Sequence, residues 1–160
     1  MPRTARKRTR VRVPEMQHFI FEVQSWEPEY WVSVNHERHG GRPYSEHVGI
    51  DINGSCVLPR KLSDRSASFH LVGERNYFNP DFYGQEPDWR PRCVGELDLR
   101  PGRGSFYSQL PHDAMPSLLS GLAAGSFRYI LLWGPPLRWG KPRCTSIDLR
   151  RSVFLEDYGE

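Results

Sequence analysis

Three imidazoles and two carboxylates fall within twelve residues, in His36-Glu37-Arg38-His39 and Glu46-His47. Nitrogen and oxygen donors at this density suit a divalent metal ion, beside which a carboxylate can act on a bound water of lowered pKa. The spacing argues against it. The second imidazole of the run comes one residue too early for His-Glu-x-x-His, and the run precedes Gly40-Gly41 instead of lying in a helix. His36, His39 and His47 therefore stand as an alternative metal set for a metal-dependent hydrolase, and a solvated connecting loop is the plainer reading.

His112-Asp113 is a second polar pair, with Ser108 and Ser117 close in sequence. Catalytic triads are assembled in space, however, and sequence neighbours rarely form them. Asp113 also has a structural use, as the cap of the helix described below. No Gly-x-Ser-x-Gly and no Gly-rich phosphate loop with Lys occurs. The expected protein is not an enzyme and carries no cofactor.

Cys56, Cys93 and Cys144 lie far apart and form no Cys-x-x-Cys pair. Each is expected to be a small buried side chain, and three unpaired thiols suit a reducing, cytoplasmic compartment. The aromatic run Tyr77, Phe78, Phe82, Tyr83 and Trp89, flanked by Arg75, Arg90 and Arg92, is a candidate partner-binding loop. Exposed aromatics stack on bases or fill pockets on protein partners. The competing reading is a satellite cluster that folds the loop onto the domain.

Charge is the other chemical signal. The chain of 160 residues has a net charge of +3, but Arg3, Arg6, Lys7, Arg8, Arg10 and Arg12 all fall within residues 1–13, which contain no acid. Beyond them, 16 basic groups face all 19 acidic ones, a net −3. Residues 1–13 read as a disordered basic leader ending at Pro14, able to contact nucleic acid or an anionic surface. Six phosphate contacts would give a salt slope of about −5. No apolar run approaches the roughly 18 residues of a membrane span, and none follows the basic start as a secretory signal would require.

The elements that must position these residues are mostly strands. Phe19, Phe21 and Val23, then Tyr30, Val32 and Val34, alternate with other residues, and Trp26-Glu27-Pro28-Glu29 reads as the turn between two strands. Val48, Ile50 and Ile52, then Cys56 and Leu58, read as a hairpin around a type I′ turn at Asn53-Gly54. Ala67, Phe69 and Leu71 form a further strand face, and residues 73–92, with three prolines, a long loop. Val94 to Leu110 reads as a hairpin turning at Pro101-Gly102-Arg103-Gly104. Met115, Leu118, Leu119 and Leu122 then follow helical spacing, with Pro116 in the first turn and Gly125 after the last. Residues 127–133 read as a central strand and 144–149 as a last one, before Phe154 and Leu155 dock.

The expectation is a single mainly β domain over residues 14–160. It is an antiparallel sandwich or partly open barrel of about eight strands with one short helix. Functionally, the chain reads as a small binding protein with a nucleic-acid or protein partner. A structural subunit of a nucleic-acid-containing assembly is the third alternative, since the sequence leaves the oligomeric state open.

Overall fold

A computed structural model describes residues 15–34, 44–75, 93–137 and 141–158. The chain forms β1 (Gln17–Val34), β2 (Tyr44–Leu58), β3 (Ser66–Glu74), β4 (Gly95–Arg100), β5 (Arg103–Pro111), α1 (Met115–Ala123), β6 (Tyr129–Gly134), β7 (Arg143–Cys144) and β8 (Ser146–Arg150). The eight strands make one sheet in the order β7-β4-β5-β3-β2-β1-β6-β8. The expected β-rich, partly open barrel with one short helix is the architecture found. The pairing is mixed: β3 and β5 run parallel while the other described neighbours are antiparallel. The reason is topological. β4 pairs on the far side of β5, so β5 returns beside β3 in the same direction.

One stretch of chain brings the two edges of the sheet together. Arg143–Cys144 pairs with β4, and Ser146–Arg150, one residue later, pairs with β6 at the other edge. Backbone bonds finish the seam: Val94 N–H donates to the Cys144 carbonyl at 2.8 Å, and Thr145 N–H to the Trp133 carbonyl at 2.8 Å. Closure of this kind leaves few strand edges open to wrong partners.

Alternation dictates the core. Phe19 and Phe21 of β1, Ile50 and Ile52 of β2, Phe69 and Leu71 of β3, Phe106 of β5 and Ile130 and Leu132 of β6 all point inward and are buried. The rings of Phe21 and Phe69 meet edge to face at 4.9 Å. Met115 and Leu122 of α1 are buried in the same core, with Leu118 and Leu119 packed against it. Ile20, Leu58 and Leu131 face the other way into a smaller cluster, closed over by Val153, Leu155 and Tyr158. β1 is thus covered on both faces near its start.

Several local expectations are corrected. Trp26-Glu27-Pro28-Glu29 is not a turn: β1 runs through it, paired with β2 from Ile20 to Val34 with register shifts near Phe21 and Ser25. Proline is tolerated there because beyond Val23 the strand has no described neighbour on its other side, and an edge strand can spare an N–H. Asn53-Gly54 is not a turn either. Gly54 lies in mid-strand between Val23 and Ala67, and among the described residues no non-glycine residue has positive φ. A Cβ on Gly54 would come within 3.2 Å of the Glu22 carbonyl oxygen and Phe21 Cβ, so glycine serves close packing here. The turn after β4 is as expected, with Gly102 at φ 72°.

The helix is also as expected, apart from its cap. Asp113 sits in a 3-10 turn, His112–Ala114, and Ala114 occupies the cap position with no side-chain hydrogen bond. At the C-terminus, Leu155 packs but Phe154 is 73% exposed. No described helix is long and apolar enough to cross a membrane.

Candidate functional site

The long strands β1 and β2 extend past the rest of the barrel. β6 pairs with β1 only over Gln17–Glu22, and β3 pairs with β2 only over Gly49–Ser55. Ser25–Val34 and Tyr44–Val48 therefore continue as a two-stranded ribbon whose β1 edge has no partner strand among the described residues. The inward-facing alternation persists along it with no described strand opposite. Tyr30, Val32, Val34 and Tyr44 continue the apolar face and are 65%, 57%, 55% and 61% exposed. No Lys or Arg lies on Ser25–Val34 or Tyr44–Val48, and the ribbon's formal charges are Glu27, Glu29 and Glu46.

At the root of the ribbon, on the opposite face, polar groups converge over Gly49. Register explains this. Glu29 pairs with Gly49, His47 and Asp51 lie two residues to either side of it, and Asp51 pairs with His70 on β3. Outward positions of three adjacent strands thus surround a residue with no side chain. A Cβ on Gly49 would lie 2.8 Å from His47 Nε2, so the imidazole leans into space that only glycine leaves.

His47 Nε2 approaches Glu29 Oε2 at 3.3 Å, yet it is buried and has no hydrogen-bond partner among the described residues. Distance alone counts the two as an ion pair; the missing hydrogen bond shows that neither group satisfies the other. His70 Nδ1 meets the Asp51 carboxylate directly. Glu29, His47 and His70 each offer a donor atom, and the three lie within 4.8 Å of one another.

Flat rings flank this cluster in a row across four strands. Trp31 stacks on His47 (centroids 5.3 Å, interplanar 5°), His47 on His70 (6.1 Å, 21°), and His70 on Tyr107 (5.6 Å, 28°). The stack fixes both imidazoles in orientation. Glu46, next to His47, pairs with Arg75.

Of the expected metal set, only His47 is described; it lies on β2 and not in a loop. His36 and His39 fall outside the described residues, as do Arg3, Arg6, Lys7, Arg8, Arg10 and Arg12 of the leader and Tyr77, Phe78, Phe82, Tyr83 and Trp89 of the aromatic run. His47 gathers Glu29 and His70 instead, residues distant in sequence. The one local signal is a glycine between His47 and Asp51 in a strand; the partners themselves follow only from the register of β1, β2 and β3.

Elsewhere, polar groups serve structure. The Arg100 side chain donates to Asp98 and holds its carboxyl below the usual carboxylate range. Burial, with Cys93 nearby, pushes the Cys144 thiol up to about 12, so it is inert at neutral pH. Cys56 is also buried, its Sγ donating to the Leu58 carbonyl. Burial, followed by the charge of Arg150, lowers the pKa of His18, whose ring lies tilted against Trp133 and edge to face with Tyr158. No family model, curated protein or solved structure matches this chain.

Proposed function

We propose that the chain is a small non-enzymatic binding protein with its contact regions outside the barrel. The Arg-rich leader supplies sequence-independent attraction to nucleic acid or another anionic surface. The β1–β2 ribbon meets a protein partner, with the aromatic run of residues 77–89 as a further contact. One observation carries this reading. Of the seven large apolar side chains exposed among the described residues, five lie on the ribbon: Tyr30, Trp31, Val32, Val34 and Tyr44. Apolar surface gathered in one place marks interaction sites.

The division of labour follows from charge. A ribbon whose formal charges are all acidic repels phosphate. In the folded body, Arg75, Arg100, Lys141, Arg143 and Arg150 each face an acid of the same chain. The densest run of basic residues without an intervening acid is the leader, which supports placing polyanion contact there. The cysteines form no disulfide among the described residues, which supports a reducing, cytoplasmic setting.

Binding of a labelled DNA duplex across a salt series tests the leader. The full chain should bind at low salt with a slope of up to about −5 in log K against log salt. Replacing its six basic residues with serine should abolish both binding and slope. Absence of binding by the full chain at low salt refutes the reading.

A second reading, a structural subunit of a nucleic-acid-containing assembly, is favoured by the open edge of β1, which can accept a strand from another copy. Light scattering separates the two, since a strict monomer excludes the subunit.

A further inference from the structure

We propose that Glu29, His47 and His70 form a binding site for a divalent transition metal, with Zn(II) the fitting ion. Two imidazoles and a carboxylate are a donor set of borderline softness, suited to zinc and unsuited to calcium or magnesium. Bond lengths near 2.0–2.1 Å place neighbouring donors of a tetrahedral zinc roughly 3.4 Å apart. His47 Nε2 and Glu29 Oε2 already stand 3.3 Å apart, and the third donor lies within 4.8 Å of both. Binding of an ion would close that remaining gap by small inward shifts of the part-exposed Glu29 and His70 side chains, with the His70 ring still held by Asp51.

Three features distinguish this cluster from ordinary surface ion pairs. First, His47 Nε2 is buried without a hydrogen-bond partner among the described residues, a state that costs free energy unless something else occupies its lone pair. Second, Gly49 forms the floor, and any side chain there would displace the imidazole. Third, the Asp51 carboxylate meets His70 Nδ1 and, as an acceptor, would hold the proton there, which leaves the other ring nitrogen as the ligand. A carboxylate behind a histidine is the usual support of a metal-bound imidazole.

The side chains of Glu29 and His70 are 46% and 37% exposed, so the outward side of the site is open. Three protein ligands and one open position leave room for water or for a donor from a partner. Glu29 belongs to the ribbon and His70 to a barrel strand, so a bound ion would also clamp the ribbon at its root.

Metal-free full-length chain should be titrated with Zn(II) in competition with a chromophoric chelator, and with Co(II) read by its visible absorption. The expected result is one ion per chain and a tetrahedral cobalt spectrum. Asp51→Asn should weaken affinity about 10–100-fold, as loss of a supporting carboxylate does. His47→Ala and His70→Gln should weaken it further. Gly49→Ala, which removes no ligand, should also weaken it. The double variant His36→Ala/His39→Ala should bind as the unaltered chain does. Circular dichroism of each variant checks folding, and if His47→Ala fails to fold, His70→Gln and Gly49→Ala carry the test. The proposal is overturned if no 1:1 complex forms. It is equally overturned if affinity survives the His70 and Gly49 changes or disappears with His36 and His39.

Discussion

β1 contains two regions with the same sequence pattern and opposite fates. From Phe19 to Phe21 every side chain is fully buried, with barrel core on one side and the C-terminal turn on the other. From Tyr30 to Val34 the alternation of apolar residues continues, yet Tyr30, Val32 and Val34 are more than half exposed. Periodicity chose the strand in both places; burial was decided by what else the fold brought alongside. A β-branched run is therefore a statement about backbone, and only topology tells whether its apolar face becomes core or contact surface.

The largest effect that sharpens this contrast is in the barrel. Phe69→Ala removes a ring packed against Phe21 and Phe106 and should cost about 3–5 kcal/mol, read by denaturant unfolding. Gly54→Ala comes next. Its new methyl presses on the β1 backbone at 3.2 Å, and overpacking of this kind costs about 1–3 kcal/mol. If Gly54→Ala were neutral, β1 and β2 would not lie as close as described.

Acid probes the barrel near its seam. Arg100 depresses the Asp98 carboxyl, so the stabilisation this pair provides is complete above the ordinary carboxylate pKa. It is lost as pH falls through the lower folded value. Unfolding midpoints of the unaltered chain and Asp98→Asn should therefore differ near neutrality and converge in acid. The smallest effect belongs to the ribbon: Val32→Ser should change stability by less than about 0.5 kcal/mol. A cost of several times that would mean the ribbon face is covered within the chain itself.

Much of the fold was legible because alternation is local. β3, the β4–β5 hairpin, α1 and the central β6 all follow from spacing and turn residues. Two turns were misread for one reason: Asn53-Gly54 and Glu27-Pro28-Glu29 carry turn chemistry but sit in strands. Pairing with β1 and β3 holds the first extended, and the open edge of β1 tolerates the second. The convergence of Glu29, His47, Asp51 and His70 could not be read from spacing, since it depends on the register of three strands. His47 is a recognisable donor in the sequence, but its neighbours there, His36 and His39, are not its partners among the described residues; the sheet supplies Glu29 and His70 from across the ladder.

Hydrogen exchange along β1, measured by mass spectrometry on the dilute protein without added ligand, tests the central claim most directly. The account predicts slow exchange over residues 18–22, close to the global unfolding limit, and much faster exchange over residues 27–34 of the same strand. Uniform slow exchange from Gln17 to Val34 would show the ribbon to be part of the core, and would contradict its assignment as a contact surface.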